Sequence, residues 1–141
     1  MKHLLLAAAT SLILAGPALA EDPVAYVVNI EDGANVTSPV TVVFGLRGKG
    51  VAPAGVEKDG TGHHHILLNR APFGEGPEDA EMSEFGIPAD DNHIHFGGGQ
   101  TEATLELEPG QHSIQLVLGD HNHKPHDPPV VSKVVTFTVT D

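Results

Sequence analysis

Thr101-Glu102-Ala103-Thr104-Leu105-Glu106-Leu107-Glu108-Pro109-Gly110-Gln111-His112-Ser113-Ile114-Gln115-Leu116-Val117-Leu118 decides the fold class. Its first seven residues alternate, with Ala103, Leu105 and Leu107 on one side and Glu102, Thr104 and Glu106 on the other. Successive side chains of an extended chain point to opposite faces, so this segment is a strand with one dry face and one wet face. Pro109 and Gly110 occupy the two central positions of Glu108–Gln111, the pattern of a type II turn. From His112 the chain returns, with Ile114, Leu116 and Leu118 on the inward side.

Outward from this segment the same pattern recurs. Val24–Ile30 is apolar and β-branched, and predicts a first strand closed by a turn at Glu31–Asn35. Val40–Leu46 is a second strand, with Val40, Val42, Phe44 and Leu46 on one face. Residues 48–62 read as a loop with five glycines, anchored by Val51 and Val56. His63–Asn69 predicts a third strand. Residues 71–92 form a long acidic insertion with prolines at 72, 77 and 88, tacked to the body by Phe73, Phe85 and Ile87. Asn92–Phe96 is a short extended stretch ending in Gly97-Gly98-Gly99. Residues 119–129 form a second rich loop, and Val131–Thr140 closes the sheet through Val135, Phe137 and Val139. No segment carries a helical period of useful length. About seven short strands with turns between them predict an all-β fold, an immunoglobulin-like β-sandwich with a cupredoxin-like sandwich as the alternative.

The ends and the charge bound the setting. Residues 1–20 have a basic start, an apolar run from Leu4 to Leu14, and Ala18-Leu19-Ala20 before a cleavage point, which predicts a cleaved signal peptide. The apolar run is too short to span a bilayer, so no membrane insertion is expected after cleavage. Residues 21–141 are then a single His-rich β-sandwich domain, periplasmic or secreted. The chain has no cysteine, so burial alone must hold the core. Loss of Lys2 leaves six basic residues against 19 acidic ones, a net charge of −13 with histidine neutral. Such a surface repels a phosphate backbone, which excludes nucleic acid as a partner, and it draws cations.

Ten histidines stand out in this composition, one of them His3 in the signal segment. Eight of the others form three clusters: His63-His64-His65, His93-Ile94-His95, and His121-Asn122-His123-Lys124-Pro125-His126; His112 stands alone. On a strand His63 and His65 share a face and His64 points away, and His93 and His95 share a face in the same manner. Two such pairs on neighbouring strands converge on one spot, and the third cluster can fold over the same end. Imidazole is the commonest protein metal ligand. The candidate ligands are His63, His65, His93, His95, His121, His123 and His126. With no thiolate, and Met82 the only methionine after residue 1, the donors suit Cu(II), Zn(II) or Ni(II), and copper(II) or zinc is the expected ion. Asp90, Asp91, Asp120 and Asp127 flank the clusters and are candidate ligands or acceptors that fix a histidine tautomer.

Structural roles account for some of the same residues. Any of His63–His65 can be a buried strand imidazole bonded to backbone or carboxylate. Pro125-His126-Asp127-Pro128-Pro129 can be a rigid turn fixed by its His–Asp pair. His112 lies on the inward parity of its strand, where a lone histidine is a satisfied core residue. Other chemistry finds little support. No serine lies in a Gly-x-Ser-x-Gly elbow, and no helix follows Gly97-Gly98-Gly99 to make a phosphate cradle. Those glycines instead relieve crowding, or allow a bulge, beside His95.

Several blocks together resemble the bacterial domain-of-unknown-function family 4399: Gly50-Val51-Ala52-Pro53-Ala54-Gly55-Val56, Gly62-His63-His64-His65, His93-Ile94-His95-Phe96-Gly97-Gly98-Gly99-Gln100-Thr101, and Leu116-Val117-Leu118-Gly119-Asp120 with His121, His123, Pro125, His126, Asp127 and Pro128. The resemblance covers nearly the whole mature chain. It implies a small exported β-rich domain in which the histidine clusters belong to the defining pattern, and it implies no activity. The leading expectation is a metal-binding module for Cu(II) or Zn(II), acting as buffer, carrier or sensor, with a possible protein partner in the periplasm. The alternative is a non-catalytic immunoglobulin-like structural or interaction module whose histidines form a polar network; a metalloenzyme is the third reading. Trp is absent and Tyr26 is the only tyrosine, which argues against a large aromatic interface.

Overall fold

The computed structural model describes residues 21–141, and the expected signal peptide, residues 1–20, lies outside the described residues. The described residues are nearly all β, in two sheets. The smaller sheet has the order β1-β3-β7, from β1 (Val24–Val27), β3 (Val40–Arg47) and β7 (Glu102–Leu105). The larger follows β2-β9-β8-β5-β4, from β2 (Ala34–Thr37), β9 (Val135–Thr140), β8 (Gly110–Gly119), β5 (Thr61–Leu68) and β4 (Gly50–Val51), and β6 (His93–His95) also pairs with β5. The turn at Glu108–Gln111 therefore passes the chain from one sheet to the other.

The alternating faces predicted from sequence meet between the sheets. Val40, Val42 and Phe44 of β3 face Ile66, Ile114, Leu116, Leu118, Phe137 and Val139 of the larger sheet, all buried. Each such aliphatic or aromatic side chain contributes about 1.5–3 kcal/mol on burial, which suits a chain with no cross-link.

Strand β5 is buried from Gly62 to Leu68, on both faces. It lies between β8 on one side and β4 and β6 on the other. Ile66 faces the main core, while Leu67 faces outward into a second apolar cluster with Met82, Ile87 and Val117, packed by Phe73 and Val131. A covered outer face explains why β5 reads as a continuous run rather than an alternating one.

The sequence expectation fails in three places. Residues 71–92 are not all loop, because Asp79–Phe85 forms a helix, α1. A helix of seven residues has no periodic signal to read and draws its stability from tertiary contacts. The Asp79 carboxylate accepts from Gly74 N at 2.6 Å, Gly76 N at 2.8 Å and Arg70 Nη2 at 2.5 Å, and Met82 anchors the helix to the outer face of the sheet. Phe85, expected to tack this segment down, is instead 74% exposed. The expected turn at Glu31–Asn35 ends early, since Ala34 already begins β2, which pairs in parallel with β9 at the far end of the chain. In the 48–62 loop, Gly50–Val51 forms β4, and Ala52 is the buried anchor rather than Val56.

Candidate metal centre

Strand register decides which histidines meet. Strand β5 places His63 and His65 on its outer face and His64 on the inner one, where His64 packs on Phe44 with ring centres 5.1 Å apart. Strand β6 runs antiparallel to β5 with His95 directly opposite His65 and His93 opposite Leu67. His95 thus joins the His63/His65 pair, whereas His93 is carried two positions further along the strand.

His123 arrives from above on the loop after β8. Asp120 shapes that loop: its Oδ1 accepts from Asn122 N at 2.8 Å and from Lys124 N at 2.9 Å, and its backbone pairs with Lys124 and His123. His123 sits in the left-handed region at φ 67°, uncommon for a residue with a Cβ. Its carbonyl accepts from Ile87 N at 2.8 Å, so the segment following α1 holds the loop down.

Four rings result in one group. Ring centres are 4.7 Å apart for His63–His65, 5.0 Å for His63–His95, 4.9 Å for His63–His123, 5.1 Å for His65–His95, 5.9 Å for His65–His123 and 4.6 Å for His95–His123. Four points at such similar mutual separations surround a common centre. His63, His65 and His95 each offer a ring nitrogen within 4.8 Å of the others, and His123 Nε2 lies 3.1 Å from His95 Nε2.

Two glycines make room for this packing. A Cβ on Gly97 would stand 2.4–2.5 Å from Cε1 and Nε2 of His95, and one on Gly119 would stand 2.7 Å from Cε1 of His65. The role expected for the triple glycine beside His95 thus falls on Gly97.

His63, His65 and His95 are held neutral near pH 7. Burial, and then the charges that His123 and His95 would carry, lower the pKa of His63 to about 4, with Asp120 acting in the opposite direction. Burial first, then His63, His95 and His123, lowers His65 to about 3. Burial and His123 lower His95 as well. Both ring nitrogens of His63 and of His65 are buried without a hydrogen-bond partner. Leaving such a group unpaired costs about 1–3 kcal/mol, and a neutral imidazole needs both an acceptor for its N–H and a donor or cation at its lone pair. Rings fill this space, so it admits an ion rather than an organic molecule. A groove of about 500 Å³ along Val24–Val27, Arg47, Lys133 and Val135 shares no residue with it.

The other candidates lie outside the group. Arg70 Nη1 donates to His93 Nε2 at 2.7 Å, which leaves His93 Nδ1–H to donate to Asp90 Oδ1 at 2.8 Å. Both nitrogens of His93 are committed, and they link β6 to Asp79 of α1 through Arg70. His121 is half-buried, with Nε2 2.9 Å from the Asn122 amide. His126 Nε2 is buried without a partner, 2.8 Å from where a Cβ on Gly62 would stand. His112 is a satisfied structural residue, bonded to Asn69 at 2.9 Å and to Glu108 O at 2.8 Å and stacked on Phe137. None of the four grouped histidines escaped the sequence reading. The Arg70–Asp79 part of the polar network did, because no local pattern connects those residues.

No curated protein and no solved structure matches this chain. Residues 42–140 match the model of a family described as Domain of unknown function (DUF4399). That span takes in every histidine of the four-ring group, and the chain belongs to this family.

Proposed function

We propose that this chain is an exported metal-binding module that holds one Cu(II) or Zn(II) ion through His63, His65, His95 and His123, and buffers, carries or senses it. One observation carries the reading: four imidazoles packed around a common centre, with all four nitrogens of His63 and His65 lacking any partner. Such a group is expensive to bury unless something completes it, and a divalent cation would take the lone pair of each ring, leaving the second nitrogen of His63 and of His65 as an N–H. Four protein donors fill a tetrahedral shell, as in binding and structural sites, whereas catalytic sites keep a position open. This favours storage or transport over catalysis. The negative field of the mature chain raises the local cation concentration. A carrier of this kind implies a periplasmic protein that donates or accepts the ion. Among the described residues no helix is long and apolar enough to cross a membrane.

The structural alternative holds for particular residues. His93, in its network with Arg70, Asp79 and Asp90, and His112 act as polar struts. The reading is tested by calorimetric titration of the stripped mature chain with Zn(II) and Cu(II). Saturable one-to-one binding that disappears in His63→Ala/His65→Ala supports it; weak, non-saturating binding unaffected by that pair refutes it.

A further inference from the structure

We infer that the four-imidazole group is shaped for a tetrahedral ion, Zn(II), rather than for the tetragonal ion Cu(II). The inference rests on the reading that the group binds metal, and it is carried by the ring separations.

A metal–nitrogen bond of about 2.0–2.1 Å puts each ring centre roughly 3.2 Å from the ion, so a regular tetrahedron spaces every pair of ring centres by about 5.2 Å. A square plane instead requires four neighbouring pairs at about 4.5 Å and two opposite pairs at about 6.4 Å. The six observed separations run from 4.6 to 5.9 Å. If His65 and His123, at 5.9 Å, were one opposite pair, His63 and His95 would be the other, and these stand only 5.0 Å apart. The arrangement is a tetrahedron stretched along one edge.

The scaffold explains this shape and resists flattening. His63 and His65 rise from alternate positions of one strand, His95 stands beside His65 on the next, and His123 comes down from a loop above the sheet. Three donors from a sheet surface and one from above it cannot share a plane without moving a strand. Gly119 lies hard against the His65 ring and Gly97 hard against the His95 ring, so neither ring can swing towards that backbone.

Donor chemistry points the same way. Zn(II) has no geometric preference from its d electrons and accepts an all-imidazole tetrahedron. Cu(II) favours tetragonal sites, and Cu(I) favours sulfur. The site has no thiolate, and Met82 of α1 is sequestered in the second apolar cluster.

The test uses Co(II) as a spectroscopic substitute on the stripped mature chain, with Cu(II) in parallel. Co(II) is expected to give the intense visible bands of a four-coordinate tetrahedral centre, bleached by one equivalent of Zn(II) and absent in His63→Ala/His65→Ala. Cu(II) is expected to give an electron paramagnetic resonance spectrum with the reduced parallel hyperfine splitting of a tetrahedrally distorted site. Pale six-coordinate Co(II) bands, together with an ordinary tetragonal Cu(II) spectrum that the double variant abolishes, would overturn the inference while leaving metal binding intact. Failure to retain Co(II), Cu(II) and Zn(II) alike would overturn the metal reading itself.

Discussion

His95 Nε2 and His123 Nε2 lie 3.1 Å apart, one on a short edge strand and the other on a loop in the left-handed backbone region. Two imidazole nitrogens at that distance share either a proton or an ion. With His63 and His65 beside them, both lacking partners, an ion can take one lone pair from each of the four rings and a single proton cannot.

The glycine that lets His95 take this position offers a selective test. Gly97→Ala puts a methyl group against the end of the His95 ring, which can swing aside at little cost to the fold. Zinc affinity is expected to fall at least about tenfold, or roughly 1.4 kcal/mol. Stability of the metal-free chain is expected to stay within about 1 kcal/mol. Titration calorimetry and urea unfolding on the same variant check both halves.

His93 behaves in the opposite way. Its nitrogens hold Arg70 and Asp90, so His93→Ala removes the acceptor of Nη1 on a largely buried guanidinium, whose Asp79 pair remains, and loosens its link to β6. A loss of about 1–3 kcal/mol in urea unfolding is expected, with metal stoichiometry unchanged at one per chain. Loss of stoichiometric binding at unchanged stability would make His93 a ligand after all.

Acid should unfold the metal-free chain through its buried histidines. In the folded state His63 and His64 titrate at about 4 and His65 at about 3, against an ordinary value of 6.5. Between those values the unfolded chain binds more protons, so stability rises with pH there. The contribution is fully present above pH 6.5 and is lost as pH falls through the folded values. Unfolding free energy measured from pH 7 to 4 should decline with a slope approaching about three protons near pH 5. A flat profile across that window would show that these rings are solvated or paired.

Metal should stabilise the fold by mass action. At a free zinc concentration one hundred times Kd, the expected gain is about 2.7 kcal/mol. Differential scanning calorimetry should show a rise in Tm on adding zinc and its reversal by a chelator, with neither seen in His63→Ala/His65→Ala.

The sequence carried much of this, for reasons that depend on the residue. Alternation at Val40–Phe44 and Ile114–Leu118 declared the two inner faces, and the same alternation separated His64 from His63 and His65. The choice among the three clusters could not be read locally. It depends on the register of β6 against β5, where a shift of two residues would exchange His95 for His93. Strand β2 was hidden because its partner β9 lies at the other end of the chain, and α1 because Asp79, Arg70 and Met82, rather than a repeat, hold it in place.

The most direct test of the four-histidine centre is X-ray absorption at the zinc edge, on residues 21–141 loaded with one equivalent and desalted. The expected spectrum has a first shell of four nitrogens at about 2.0–2.1 Å with the multiple scattering of four imidazoles. A shell dominated by oxygen, or an imidazole count of two or fewer, would contradict the account.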